Sequence, residues 1–162
     1  MPFVEPIGYV RNSRRGLEDD YWGGLDSVIE LVDAIHPDAL LGLEDFSHAE
    51  VIYYFHLVED PKIVLGARRP RNNPAWPLAG IFAQRAKNRP NRIGLTTVRI
   101  QGREGRRLLV TDLDAVDGTP VLDIKPVMSE FLPRGEVRQP GWSRELMKAY
   151  WLPESGRPPG ES

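Results

Sequence analysis

The chain has 162 residues, a formal net charge of −2 and no cysteine. This length is enough for one domain with a core of its own, and the lack of cysteine excludes disulfides, cysteine-ligated zinc and thiol catalysis. No apolar run approaches the ~18 residues of a membrane helix, and the first residues do not form a signal peptide, so we expect a cytoplasmic protein that does not contact a membrane.

The first half of the chain is predicted to form short strands separated by loops. The predicted strands are residues 3–10, 27–32 and 48–58. The last of these is β-branched and aromatic on both faces, which indicates a central, buried strand. Pro37 suits the first position of a short helix, and Gly42 would end it. Residues 59–77 hold four prolines and are predicted to form a long loop.

The second half continues the same pattern and ends in a helix and a tail. The predicted strands are residues 80–83, 95–101, 106–112 and 121–125. Residues 102–105 are typical of a hairpin turn, and Asp117-Gly118 is typical of another. Residues 143–151 can form an amphipathic helix, whose apolar side carries Leu146, Met147, Tyr150 and Trp151. Residues 153–162 are rich in proline and glycine, and we expect them to be disordered. So many short strands predict an all-β barrel or sandwich.

Positive charge is concentrated in residues 66–107, which hold eleven Lys or Arg and one acid, Glu104. The residues before and after this basic segment carry a net negative charge. A basic block inside an acidic chain indicates an anionic partner such as nucleic acid. A solvated loop balanced by acidic neighbours would have the same composition, so the charge alone does not decide between them.

The most distinctive stretch is residues 80–100, GIFAQRAKNRPNRIGLTTVRI, in which an apolar run gives way to an arginine-rich loop and then to a second strand. Pro90 keeps Arg89 out of the helical region, and a polar loop between two strands is a common place for binding and catalysis. The pattern GIFA-x-R followed by RPN-x-IGL resembles the TrmO/TsaA-like family. Three further blocks agree with that family: PIG at residues 6–8, LEDFSH at residues 43–48 and DGTPVLDIKP at residues 117–126.

The resemblance implies a small β-barrel that dimerises, with its ligand site near the subunit interface. Members of this family bind S-adenosylmethionine (SAM) in the barrel fold and methylate the N6 position of threonylcarbamoyl-adenosine in tRNA. No G-x-G-x-x-G or Walker A motif occurs in the chain, so a cofactor would be held without a Rossmann site. We therefore expect a barrel domain at residues 3–128, a C-terminal extension at residues 129–162, SAM as cofactor, a homodimer, and tRNA as a partner of the basic segment.

Eight residues are candidates for binding the cofactor. Arg85 suits the carboxylate of the methionine moiety, because a guanidinium can donate two parallel hydrogen bonds to it. Phe55 and His56 end the third predicted strand near one mouth of a barrel, where they could contact adenine and ribose. Leu95 offers apolar surface to an adenine ring. The place of four residues in the family pattern implies backbone contacts to the adenosine end, and these are Thr111, Asp112, Leu113 and Asp114.

Three residues are candidates for acting on the substrate. Methyl transfer from an activated sulfonium needs alignment and exclusion of water more than it needs a nucleophile. Asp123 and Lys125 share one face of a strand by its period of two, so they can pair and orient the substrate. Asn91, in the arginine-rich loop, is the third catalytic candidate. The three histidines lack the spacing of zinc ligands, so no metal is expected.

Two positions depart from the family pattern, since Arg92 replaces a proline and Val127 replaces a tyrosine. Two other functions therefore stay open. One is a SAM-binding barrel that acts on a small molecule or only senses the cofactor. The other is a non-catalytic RNA-binding module, in which Trp22 or Trp76 stacks on bases.

Overall fold

Six strands form a closed antiparallel barrel, which confirms the predicted all-β fold. The computed structural model describes residues 1–160. In chain order the strands are β1 (Gly8–Arg11), β2 (Asp26–Leu31), β3 (His48–Tyr54), β4 (Ala67–Arg68), β5 (Ala79–Gly80), β6 (Ile93–Glu104), β7 (Arg107–Thr111) and β8 (Pro120–Pro126). The barrel order is β1-β2-β7-β6-β3-β8, and β8 pairs with β1 to close it. The short strands β4 and β5 pair with each other outside the barrel.

The helical elements are short. Within residues 1–160 they are α1 (Gly141–Leu146) and the 3-10 turns Pro37–Leu40, Leu43–Asp45, Asp60–Lys62, Pro70–Asn72, Ile81–Ala83, Pro90–Arg92, Ser129–Phe131 and Glu154–Gly156. None of the helices in this described range is long and apolar enough to cross a membrane. The same range holds no group of three or more side chains that could ligate a metal ion.

The interior of the barrel follows from the alternation of buried residues along β3 and β6. In β3 every second residue from Ala49 to Tyr53 is buried, and the neighbouring residues are partly exposed. The register places Tyr53 opposite Gly94 of β6. A Cβ atom added at Gly94 would lie 2.5 Å from the Tyr53 ring. The glycine therefore leaves room for a large aromatic side chain inside the barrel.

Three predicted strands differ from the observed ones. β1 begins at Gly8 rather than at residue 3, and the side chains of Phe3 and Val4 are exposed. β3 ends at Tyr54 because the His56 amide turns back to the Tyr54 carbonyl at 2.8 Å. The expectation that β3 is buried on both faces was wrong, since a barrel buries only its inner face. The strand predicted at residues 80–83 is limited to β5 and is followed by a 3-10 turn.

The C-terminal part also differs from its prediction. The helix expected at residues 143–151 is α1 followed by turns. In the tail, residues 153–157 contact the loop before β2. Pro153 forms a bridge with Gly23, and the Arg157 guanidinium lies 5.6 Å from the centre of the Tyr21 ring. The prediction of disorder for the rest of the tail stays a prediction. Residues 161–162 of the predicted tail lie outside the described residues.

Candidate functional site

A large open cleft, about 1740 Å³ in volume, lies between the barrel and the segments that flank it. The barrel contributes β6 and the residues that follow β3 and β7. The arginine-rich loop at residues 82–89 and the C-terminal residues 139–153 supply other walls. Seven of the eight predicted cofactor-binding residues line this one cleft, and these are Phe55, His56, Arg85, Leu95, Thr111, Asp112 and Asp114.

Asp114 accepts hydrogen bonds from three side chains in the cleft. The Tyr53 hydroxyl donates to Oδ1 at 2.9 Å, and the Thr96 hydroxyl donates to the same oxygen. The Tyr150 hydroxyl donates to the other carboxylate oxygen, Oδ2. Burial, and next the charge of Asp114, raise the pKa of both tyrosines above the ordinary value, so both remain protonated donors at neutral pH. One carboxylate therefore joins β3, β6 and the C-terminal segment.

Arg85 lies at the rim of the cleft, just after the 3-10 turn Ile81–Ala83. Its guanidinium donates to the backbone carbonyl of Leu95, and the residue is exposed. Its positive charge opposes, as a smaller contribution, the raised pKa of Tyr53. Arg85 is therefore near the Asp114 cluster and still has donor groups that face solvent. The Leu95 side chain is 43% exposed and lines the same cleft.

Phe55 and His56 line the cleft where the chain leaves β3. The Phe55 ring meets the Tyr53 ring edge to face, with 5.3 Å between centroids. Burial lowers the pKa of His56 below its ordinary value, so the imidazole is neutral at neutral pH. A neutral imidazole carries one donor and one acceptor nitrogen, which suits hydrogen bonds to an uncharged polar ligand.

Thr111 and Asp112 lie where β7 ends, and they are tied to the first residue of β2 and to the loop before it. The Thr111 hydroxyl donates to Asp26 at 2.9 Å, and the Asp112 carboxylate accepts from the Gly24 amide at 2.7 Å. Asp112 has a φ of +69°, a left-handed conformation that turns the chain sharply. Leu113 is the exception among the eight candidates, because its side chain is fully buried in the barrel core.

The three catalytic candidates do not line the cleft. Asp123 and Lys125 form the predicted ion pair, with 2.8 Å between Oδ2 and Nζ, on the outer face of the barrel. This pairing raises the pKa of Lys125. Asn91 is exposed, with a φ of +63° in the 3-10 turn Pro90–Arg92. The structure thus separates these residues from the seven that lie together, and their catalytic role stays a prediction.

Arg92, which replaces the usual proline of the family pattern, has a structural role here. Its φ is +51°, a value that the ring of proline does not allow. Its guanidinium pairs with Asp60 and donates to the Tyr54 hydroxyl at 2.8 Å. The departure from the pattern therefore coincides with a different backbone conformation and with a new tie to the loop after β3.

Internal contacts take up many of the cations in the basic segment. Arg71 pairs with Asp20 at 2.8 Å, and Arg103 pairs with Glu44 at 3.0 Å. Five cations line the cleft without an acidic partner among the described residues, and these are Arg68, Arg85, Lys87, Arg89 and Arg99. The positive charge that remains for a ligand is therefore concentrated at the cleft.

Sequence reasoning missed the residues that hold Asp114. Tyr53 and Thr96 were read only as parts of strands, and Tyr150 only as part of the apolar side of a helix. The available signal was the alternation in β3 and β6, which places Tyr53 and Thr96 on the inner face. No pattern in the sequence relates Tyr150 to Asp114, because their contact depends on the path of the C-terminal segment.

The closed antiparallel barrel and the cleft with Arg85 and Asp114 define a β-barrel domain with an open cleft, not a Rossmann domain. Residues 19–131 match the family model of the tRNA-methyltransferase O N-terminal domain, and the chain belongs to this family. The chain is also 30% identical to a crystallised TrmO from Pseudomonas aeruginosa, with a TM-score of 0.70 over 88% of this chain and 62% of that one.

Two curated relatives show what the similarity covers. RcsF of Pseudomonas aeruginosa, whose name assigns it provisionally to the SAM-dependent methyltransferases, is 40% identical over 131 residues, or 76% of this chain and 55% of RcsF. The human tRNA (adenine(37)-N6)-methyltransferase is 37% identical over 102 residues, or 63% of this chain and 23% of the human protein. The chain thus spans about half of one relative and under a quarter of the other.

Proposed function

We propose that this protein is a SAM-dependent methyltransferase that methylates the N6 position of threonylcarbamoyl-adenosine in tRNA, or a related adenine substrate. The observation that carries the proposal is the convergence of seven predicted cofactor-binding residues in one cleft. Membership of the TrmO N-terminal domain family supports the same activity. A cytoplasmic location fits this substrate.

The residues of the cleft fit SAM by their chemistry. Arg85 has exposed guanidinium donors for a carboxylate, and Leu95 and Phe55 offer apolar surface to a purine. Asp114 has spare acceptor capacity for a hydroxyl or an amine, because each carboxylate oxygen can accept two hydrogen bonds. SAM supplies an activated methyl group, so these side chains need only bind, orient and exclude water.

The cations of the cleft support an RNA acceptor. Lys87, Arg89 and Arg99 lie beside the proposed cofactor residues and lack acidic partners in the described part of the chain. A phosphate backbone that reached the cleft would therefore meet uncompensated positive charge. If the acceptor is a small molecule instead, these cations would contribute little, and methylation of tRNA would not be observed.

We expect Arg85→Ala to weaken SAM binding roughly tenfold or more, because loss of a charge-assisted hydrogen bond costs about 1.5–3 kcal/mol. Isothermal titration calorimetry measures the affinity, and transfer of labelled methyl groups to tRNA measures the activity. Arg11→Ala is the matched control, since it removes the same charge outside the cleft. The proposal fails if the folded wild-type protein binds no SAM. Methylation of a small molecule but not of tRNA would favour the second function.

We also propose that the protein is a homodimer. The apolar side of the C-terminal helix does not supply the interface, because Tyr150 packs against Asp114 of its own chain. A better reason is the outer face of β3 and β6, where Ile93 and Leu95 are 46% and 43% exposed beside Ile52. Both residues also line the cleft, so a partner on this face would lie beside the proposed cofactor site. Two-fold pairing would cover such a face.

The expected mass in light scattering at micromolar concentration is that of two chains, and Ile93→Asp should shift it to that of one. Leu41→Asp is the control, because Leu41 is exposed but lies in the segment between β2 and β3. A wild-type protein with the mass of one chain would refute the dimer.

A further inference from the structure

Residues 139–153, here called the strap, run from just before α1 to the start of the tail and line the cleft. The strap is fixed to the loop before β2 by backbone hydrogen bonds. The Trp22 amide donates to the Tyr150 carbonyl at 2.8 Å, and the Gly23 amide donates to the Leu152 carbonyl at 3.2 Å. The match to the family model ends at residue 131, so the strap lies outside that match.

The loop that receives the strap is itself held by Arg14. Its guanidinium donates to the carbonyls of Tyr21 and Asp20, each at 2.9 Å, and stacks on the Trp22 ring at 3.9 Å. Gly23 allows the strap to approach closely, since a Cβ atom there would lie 2.0 Å from the Trp151 carbonyl oxygen. The conformation of this loop therefore determines where the strap lies.

The side of the strap that lines the cleft is apolar and aromatic. It carries Trp142, Leu146, Met147, Tyr150 and Trp151. Tyr150 reaches Asp114, and the Trp151 ring meets the Tyr150 ring at 5.0 Å, edge to face. Trp151 is 43% exposed. The Trp151 indole lines the cleft and is separated from Asp114 by the Tyr150 ring. Its exposed surface is available for a flat ligand to stack on.

We infer that the strap is the acceptor-side wall of the cleft and that Trp151 is a stacking surface for a base of the RNA acceptor. This inference rests on the proposed function. Arg85, Leu95 and Phe55 form the cofactor side of the cleft in the proposed function. The strap forms a different wall, which is available to the second substrate. A base has two flat faces, and aromatic stacking with cations nearby is a common way to hold single-stranded RNA.

The first test is Trp151→Ala against Leu152→Ala. Leu152 is the next residue and is 46% exposed, but it does not line the cleft. The probe is a labelled single-stranded RNA loop that contains adenosine, measured by fluorescence anisotropy at low salt with S-adenosylhomocysteine present. Trp151→Ala should weaken RNA binding about tenfold, and Leu152→Ala should leave it near the wild-type value. SAM affinity, measured by calorimetry, should stay within about twofold of wild type in both variants.

A second pair of variants tests the position of the strap without changing its side chains. Gly23→Ala should displace the strap and weaken RNA binding, while Gly66→Ala should not, because a Cβ atom at Gly66 meets nothing within 4 Å. Equal RNA affinity of wild type and Trp151→Ala, or no RNA binding by a wild-type protein that binds SAM, would overturn the inference. Absence of SAM binding by the wild type would instead overturn the proposed function, so the two failures are distinguishable.

Discussion

Asp114→Ala is expected to abolish measurable SAM binding and to lower the free energy of unfolding by about 1–3 kcal/mol. The substitution removes the acceptor of three hydroxyl groups, and two of these, on Tyr53 and Thr96, are almost fully buried. When a buried donor loses its acceptor, the free energy lost by removing the donor from water is no longer offset by a hydrogen bond. Urea denaturation measures the change in stability, and calorimetry measures SAM binding.

Asp123→Ala is the matched control for that substitution. It removes the same side chain from the outer face, where Asp123 and Lys125 are about half exposed and solvent screens their charges. Stability and SAM binding should stay close to wild type. The control also tests the catalytic prediction, since a large loss of methyl transfer with normal SAM affinity would support a role for Asp123 with the acceptor. Normal SAM binding by Asp114→Ala would contradict its central place in the site.

Gly94→Ala is expected to destabilise the protein by about 1–3 kcal/mol and to weaken SAM binding, because it overfills the barrel interior. The added methyl group would lie 2.5 Å from ring atoms of Tyr53 and 3.0 Å from the Phe55 ring. To avoid the clash the Tyr53 ring must move, and its hydroxyl would then lose its hydrogen bond to Asp114. Thermal denaturation and SAM titration on the same preparation measure both effects.

Gly102→Ala provides the comparison within the same strand. A Cβ atom at Gly102 meets nothing within 4 Å, so this variant should behave like wild type. Both substitutions reduce the freedom of the unfolded chain in the same way, and only Gly94→Ala adds a steric conflict. Equal stability of the two variants would show that the close approach of Tyr53 to Gly94 does not constrain the barrel.

The barrel could be predicted because local patterns determine most of it. Short stretches of sequence determine the alternation in β6 and β7 and the turn at Asp117-Gly118. Gly118 has the positive φ, +83°, that such a turn favours. The end of β3 could not be predicted in this way. Its apolar residues continue past Tyr54, and only the backbone turn at His56 shows where the strand stops.

The site was predicted in part, for a similar reason. The resemblance located the barrel residues of the cleft, whose positions follow from the strands that carry them. It could not locate the strap, because the contact between Tyr150 and Asp114 joins distant parts of the chain. Nor could composition show that Arg71 and Arg92 are neutralised by Asp20 and Asp60. The charge that a protein presents on its surface depends on which side chains form ion pairs, and those pairs are set by the fold.

The closure of the barrel by β1 and β8 has a consequence for folding. Gly8 pairs with Val121, a residue on the order of a hundred positions later in the chain, and the two strands share a short ladder that includes Pro120. Contacts between such distant residues form slowly, because a long loop must close first. During synthesis β1 has to wait for β8 to leave the ribosome, and the edges of β1 and β3 stay without a neighbour until then. The time before this last pairing is when the protein is most open to aggregation through unpaired strands.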